Sequence, residues 1–252
     1  SQPQRFAMLE DVKSQSPHIR LFPTAEAVFA PDSAFLSQHL LPVVSVDLAA
    51  VNPAWSGWLP FVNPIEPYEC YIGDGTEAFH NEYAKANVFC LRFNEQGQYE
   101  WLADKRYFLL EHHDASDAWQ QEMVAELAKE RVEAVKQLAL TQARYQQHGK
   151  FFDNNRHSYS PADFDFANAE EDVVLDQIGG SVGCGNWEYP LSEYGMVEII
   201  DDETTYMIAP NGKRAYFVAG ADGYRFNQRG ADWILLFYEP ESRLAMFTFD
   251  WT

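Results

Sequence analysis

The sequence predicts an α+β fold, mostly antiparallel β-sheet with one long amphipathic helix, and three observations carry that reading. Strand-like runs rich in β-branched and aromatic residues stand before and after a single helical segment instead of alternating with helices, which argues against βαβ units and a parallel sheet. The helical segment, residues 117–148, contains neither glycine nor proline. The last quarter reads as consecutive strands joined by turn residues. With 252 residues, 46% of them hydrophobic and 15% aromatic, the chain can bury a large core. It is read as one domain over 1–252, with internal divisions at 1–113, 117–148 and 170–252.

From Ser1 to about Pro67, prolines 31, 42, 53, 60, 64 and 67 break the chain into short pieces. Val43–Leu48 is the strand expected there, followed by a turn-rich stretch from Asn52 to Pro60. Tyr68–Ile72, Ala86–Phe93 and Tyr107–Leu110 read as further strands, with a hairpin turn at Asn94–Gly97. In the helix, Trp119, Met123, Leu127, Ala134, Val135 and Leu138 fall at helical spacing and form one apolar stripe. Asp117 and Gln120 suit a capping pair and Gly149 suits a stop. The strands expected beyond it are Val173–Ile178, Val197–Ile200, Thr204–Ile208, Arg214–Val218, Asp232–Tyr238 and Arg243–Phe249. The last two are joined by the tight turn Glu239–Ser242.

Eighteen basic residues against 38 acidic ones leave a net charge of -20. Such a field repels phosphate backbones and anionic lipid, so neither nucleic acid nor a membrane surface is an expected partner. No apolar run approaches the roughly 18 residues that a bilayer span requires. The three cysteines, Cys70, Cys90 and Cys184, are odd in number and lack CxxC spacing. They read as small buried hydrophobes kept reduced, and the start of the sequence carries no charged-then-apolar leader, so a cytoplasmic protein is expected.

Tests for chemistry return little. Gly179–Gly185 lacks the spacing and the following Lys-Ser or Lys-Thr of a phosphate loop, and reads as a place where backbones approach closely. His112, His113 and Asp114 do not extend into a zinc pattern, and the acidic groups do not fit a calcium loop. No GxSxG elbow is present. The expectation is therefore no metal, no cofactor and no catalytic residue. The charge is uneven: residues 153–203 hold 13 acidic residues and one basic residue, Arg156, whereas 204–252 are balanced. Such a stretch reads either as a solvated surface that aids solubility or as a surface matched to a basic protein partner.

The closing segment adds a resemblance. Gln177-Ile178-Gly179-Gly180 followed by Gly185-Asn186-Trp187-Glu188, then Gly223-Tyr224-Arg225-Phe226, Gly230–Pro240 and Leu244–Trp251, is similar to the end of the YwqG-like bacterial domain of unknown function. The likeness covers about the last 80 residues, with a weaker echo at Leu41–Leu48. It implies an α+β fold with no established catalytic residues. It also implies a gene neighbourhood of polymorphic toxins, including those of type VI secretion, and hence an immunity role. Charge and resemblance converge on a non-enzymatic immunity protein that binds a basic antibacterial toxin, foremost a nuclease effector, in a 1:1 complex and occludes its active site. The residues expected at that interface are Asp163, Asp165, Glu170, Glu171, Asp172, Asp176, Trp187, Glu188, Tyr189, Glu193, Asp201, Asp202 and Glu203. Charge reversal at Glu170, Glu171 and Asp172 together is expected to slow association. The alternative is an enzyme acting on a small molecule or glycan through an acidic dyad.

Overall fold

The computed structural model describes residues 8–112, 117–157 and 163–252. Thirteen strands are found among them: β1 Met8–Val12, β2 Ile19–Leu21, β3 Leu40–Asp47, β4 Trp58–Pro64, β5 Ala84–Lys85, β6 Val88–Phe93, β7 Tyr99–Trp101, β8 Leu175–Gly179, β9 Val197–Asp201, β10 Thr204–Ile208, β11 Arg214–Ala221, β12 Trp233–Glu239 and β13 Leu244–Asp250. Every pairing between them is antiparallel, and with the one long helix Ala118–His148 this is the predicted α+β class.

The larger sheet is built on the ladder β11-β12-β13-β6 and forks at each side. Along one edge β11 pairs first with β10 and then with β8, which in turn pairs with β1; along the other, β6 pairs with β7 and β5. The sheet thus joins strands from both ends of the chain, across the divisions expected at 1–113 and 170–252. The smaller sheet, in order β2-β3-β4, covers one face of the larger. Ile234, Leu236, Phe247, Phe249, Phe89 and Leu91 point into that interface and meet Val44, Val46 and Phe61. The alternate residues Leu235, Phe237, Met246 and Cys90 point the other way and are covered by Trp187, Leu191, Met196 and Met207. Both faces being buried is why β6, β12 and β13 read as near-continuous apolar runs and not as alternating ones.

The smaller sheet shows where proline patterning misleads. β4 begins inside the stretch Asn52–Pro60 expected to be turns, and it carries Pro60 and Pro64 because, among the described residues, it is an edge strand paired only with β3. Pro42 sits in β3 beside a register shift between Pro42 and Val44, another place where the missing N–H is tolerated. Conversely, the expected strands Tyr68–Ile72 and Tyr107–Leu110 are not strands. The first is turns and bends, and the second falls in two short 3-10 turns, with Tyr107 and Phe108 buried as core side chains. Aromatic content there signals burial and not pleating.

The helix starts and stops where expected. Asp117 Oδ1 accepts the Trp119 N–H at 2.8 Å, and Gly149, at φ +65°, donates its N–H to Tyr145 O at 2.8 Å. Gln120 does not complete a capping box; its amide donates to Gly75 O at 2.8 Å and ties the first turn to the 72–75 turn. Met123 and Leu127 pack on Leu109, while Ala134 and Leu138 pack on Leu41 and Ile65. Trp119 and Val135, placed in the apolar stripe, are instead exposed at 41% and 40%. Val135 lies one position past the buried Ala134, about 100° around the helix. The glycine run behaves as expected of close approaches: a Cβ on Gly183 would lie 2.9 Å from Asp202 O, and one on Gly180 2.8 Å from Met8.

Candidate functional site

A concavity lies where β4 runs out. Asn63, near its end, donates from Nδ2 to Asn227 Oδ1 at 2.7 Å and to Arg229 O at 2.8 Å. Arg229 answers by donating to Ile65 O and Pro67 O, each at 2.7 Å, and pairs with Glu130 of the helix at 3.0 Å. This clamp holds Glu66 inward between two prolines. A cleft of about 610 Å³ opens above it, with Tyr68, Tyr71, Tyr224 and Trp251 in its walls and Glu69 and Asp74 on its lining.

Glu66 is 4% exposed, and burial pushes its carboxyl up to about 7. Its Oε1 accepts the Leu109 N–H at 2.7 Å; Oε2 has a longer contact to Leu110 N at 3.5 Å and stands 3.9 Å from His39 Nδ1. His39 is stacked on Phe108, with ring centroids 4.3 Å apart, and its Nε2 is 2.8 Å from Glu111 Oε1. A carboxylate at that distance fixes the proton on Nε2, and burial holds the imidazole below its ordinary value, so Nδ1 is a bare acceptor. Nδ1 has no hydrogen-bond partner, and two acceptors facing each other favour a proton on Glu66.

The residues expected at an acidic interface separate into three kinds. Asp172 is buried: it accepts from Arg156 at 2.6 Å, His157 at 2.7 Å and Asp153 N at 3.0 Å, and so anchors the chain internally. Trp187 is 1% exposed, its ring 5.6 Å from Phe237, and it is a core residue, not a surface anchor. Asp176 is taken up by Arg225 and Trp233, and Glu188 by Cys184 N and Thr205 Oγ1. The three acids are structural because each satisfies N–H or O–H donors within the fold, and Trp187 is structural through its burial. Glu170 pairs with Lys13 at 3.0 Å, Glu171 accepts from Ser14, and Asp165 accepts from Asn168, all near the surface; Asp163 is exposed. Reversal at Glu170, Glu171 and Asp172 together therefore perturbs folding through Asp172 and does not isolate binding.

The third kind is exposed and gathered on one hairpin. Asp201, Asp202 and Glu203 form the tip between β9 and β10, Ile199 and Ile200 on β9 are 54% and 45% exposed, and Tyr189 and Glu193 project from the preceding helix Glu188–Glu193. Among the described residues, β9 pairs only with β10, so its outer edge is open. Beside this region the Tyr194 hydroxyl is held above its ordinary value by burial first, and then by Asp74, Glu193, Tyr71 and Glu77.

Cys70 and Cys184 are exposed, unlike Cys90, which is buried as expected of all three. Among the described residues, no three His, Cys, Asp or Glu side chains converge as metal ligands; His113 and Asp114 lie outside the described residues, as does 158–162 of the polar stretch. No described helix is long and apolar enough to cross a membrane. Sequence reading missed Glu66, His39, Glu111 and Arg229. The available signal was Glu66 itself, a lone charge in the otherwise uncharged run 58–68. Comparison with protein-family models, curated proteins and solved structures gives no match for this chain.

Proposed function

We propose that the protein is a cytoplasmic immunity protein that binds a cognate basic antibacterial toxin, foremost a nuclease effector, and blocks its active site. The observation that carries this reading is the β9–β10 hairpin, an open sheet edge with exposed Ile199 and Ile200 set among Glu193, Asp201, Asp202 and Glu203. Apolar side chains ringed by one sign of charge suit a protein partner: the charge speeds encounter and the isoleucines and Tyr189 slow dissociation. A nuclease grips phosphates and is basic around its active site, so the same surface is complementary to the region an inhibitor must cover. The likeness of the closing segment to YwqG-like domains supports the same role.

The test is co-purification from the native host at low and high salt, followed by assay of the recovered partner's toxicity with and without this chain. The triple variant Glu193→Lys, Asp202→Lys, Glu203→Lys is expected to fold normally and to slow association by about tenfold or more at low salt. A toxic partner still silenced at the wild-type rate by that variant removes the hairpin from the interface; a harmless partner removes the immunity reading. A second reading, an enzyme acting on a small molecule, draws on Glu66, since a buried carboxyl titrating near neutrality at the floor of a cleft has the properties of a general acid–base group. It requires turnover that Glu66→Gln abolishes.

A further inference from the structure

We propose that the cleft above Glu66 is a binding site for a guanidinium group, held between carboxylates and tyrosine rings. This goes beyond the hairpin interface and does not depend on it.

Three features of the cleft point to this chemistry. Its volume of about 610 Å³ exceeds what a few waters need, and its walls are the π-faced residues Tyr68, Tyr71, Tyr224 and Trp251. Among the described residues its lining carboxyls, Glu66, Glu69 and Asp74, outnumber its one cation, Arg229. That cation is engaged elsewhere, on two backbone carbonyls and Glu130, and the nearby Lys129 is paired with Glu126 at 2.8 Å. Finally, Glu66 is a buried residue of the lining with one weakly bonded carboxylate oxygen. Among the described residues, Glu66 Oε2 has only the 3.5 Å contact to Leu110 N, with the bare Nδ1 of His39 behind it. A donor arriving from the cleft would satisfy an oxygen that the fold has removed from water.

The planar guanidinium fits better than a compact ammonium, because it hydrogen-bonds to carboxylates through one edge while stacking on aromatic faces. The chain uses this arrangement itself: Arg214 makes two 2.7 Å bonds to Glu198 and lies 4.6 Å over the Tyr206 ring. In the cleft carboxylates and rings also stand together, and the arginine described on its lining, Arg229, is already committed to Ile65 O, Pro67 O and Glu130. The group can come from a free guanidine metabolite or from an arginine side chain of another protein, and these sources are separable by experiment.

The groups facing Glu66 are His39, Glu111, Arg229 and the buried Tyr107. A cation in the cleft favours the ionised carboxylate, so binding releases a proton and strengthens as pH rises through the Glu66 transition. The probes are butylguanidinium, its neutral isostere butylurea, and the blocked peptide Gly-Gly-Arg-Gly-Gly with its citrulline counterpart. They are titrated by calorimetry, with the indole N–H resonance of Trp251 followed by NMR. Saturable binding of butylguanidinium is expected, about tenfold or more tighter than butylurea and tighter at about pH 8 than at about pH 6. Glu66→Gln is expected to remove the pH dependence, and Glu69→Gln, an exposed change, to weaken binding by about threefold. Preference for the peptide over butylguanidinium assigns the site to a protein arginine, and the reverse to a free metabolite. Equal binding of urea and guanidinium, or no saturation by about 20 mM in folded wild-type protein, overturns the proposal.

Discussion

Glu66 makes stability depend on pH in a direction opposite to an ordinary ion-paired carboxylate. Its folded value, about 7, lies above its ordinary 4.5, so the native state holds the proton more tightly than the unfolded chain. Stability is therefore highest on this account below about pH 4.5 and is lost as pH rises to 7, by an amount on the order of 3 kcal/mol. Urea unfolding of wild type and Glu66→Gln at pH 5 and pH 8 is expected to show the variant gaining on wild type as pH rises; a difference independent of pH would sink this assignment. Trp187→Ala tests a different residue-level conclusion. With the indole buried against Phe237, the loss is expected at about 3–5 kcal/mol, and a change under about 1 kcal/mol would mean the ring is not in the core. Neither property was legible from the sequence. Trp187 stands in a glycine-rich, turn-like stretch that suggested exposure, and the burial of Glu66 depends on Leu109 and on the Asn63–Asn227 and Ile65–Arg229 bonds, each of which spans 164 positions.

At the level of elements, local chemistry was readable where the element is set by its own residues. The helix 118–148 is the clearest case, since its cap, its stop and the absence of breakers are all local. Asp117→Ala is expected to cost about 1 kcal/mol through the lost bond to Trp119 N, seen as fraying of the first turn in hydrogen exchange. Gly149→Ala is expected to cost a similar amount, about 1 kcal/mol, for one reason only. Nothing lies within 4 Å of the added Cβ, so the penalty comes from φ +65° alone, and a stabilised variant would contradict it. The strands β6 and β11–β13 were also legible, because runs of Val, Ile, Phe and Leu bounded by turns suit pleats buried on both faces. Strand β4 was not, because two prolines are acceptable only once its place at a sheet edge is known. Nor could Tyr68–Ile72 be told from a strand, because its aromatics line a cleft.

For the whole molecule, a net charge of -20 is the dominant long-range term. Self-repulsion lowers the stability of the free protein and is relieved by counter-ions. The melting temperature is therefore expected to rise as sodium chloride is increased from about 0.02 M to about 0.5 M. Over the same range association with a basic partner should slow, and a partner whose association rate ignores salt would not be using the acidic face. The order of strands in the large sheet has a further effect, on synthesis. β6 finds its principal neighbour in β13, and Arg243, which leads into that strand, bonds back to Phe93 across 150 positions. While the ribosome makes the intervening chain, β6 has, among the described strands made before that chain is complete, only the short β5 and β7 to pair with. A nascent chain paused between residues 101 and 240 thus presents a sticky, half-built sheet edge, and its yield is expected to fall in cells that lack a holdase to shield it until β13 emerges.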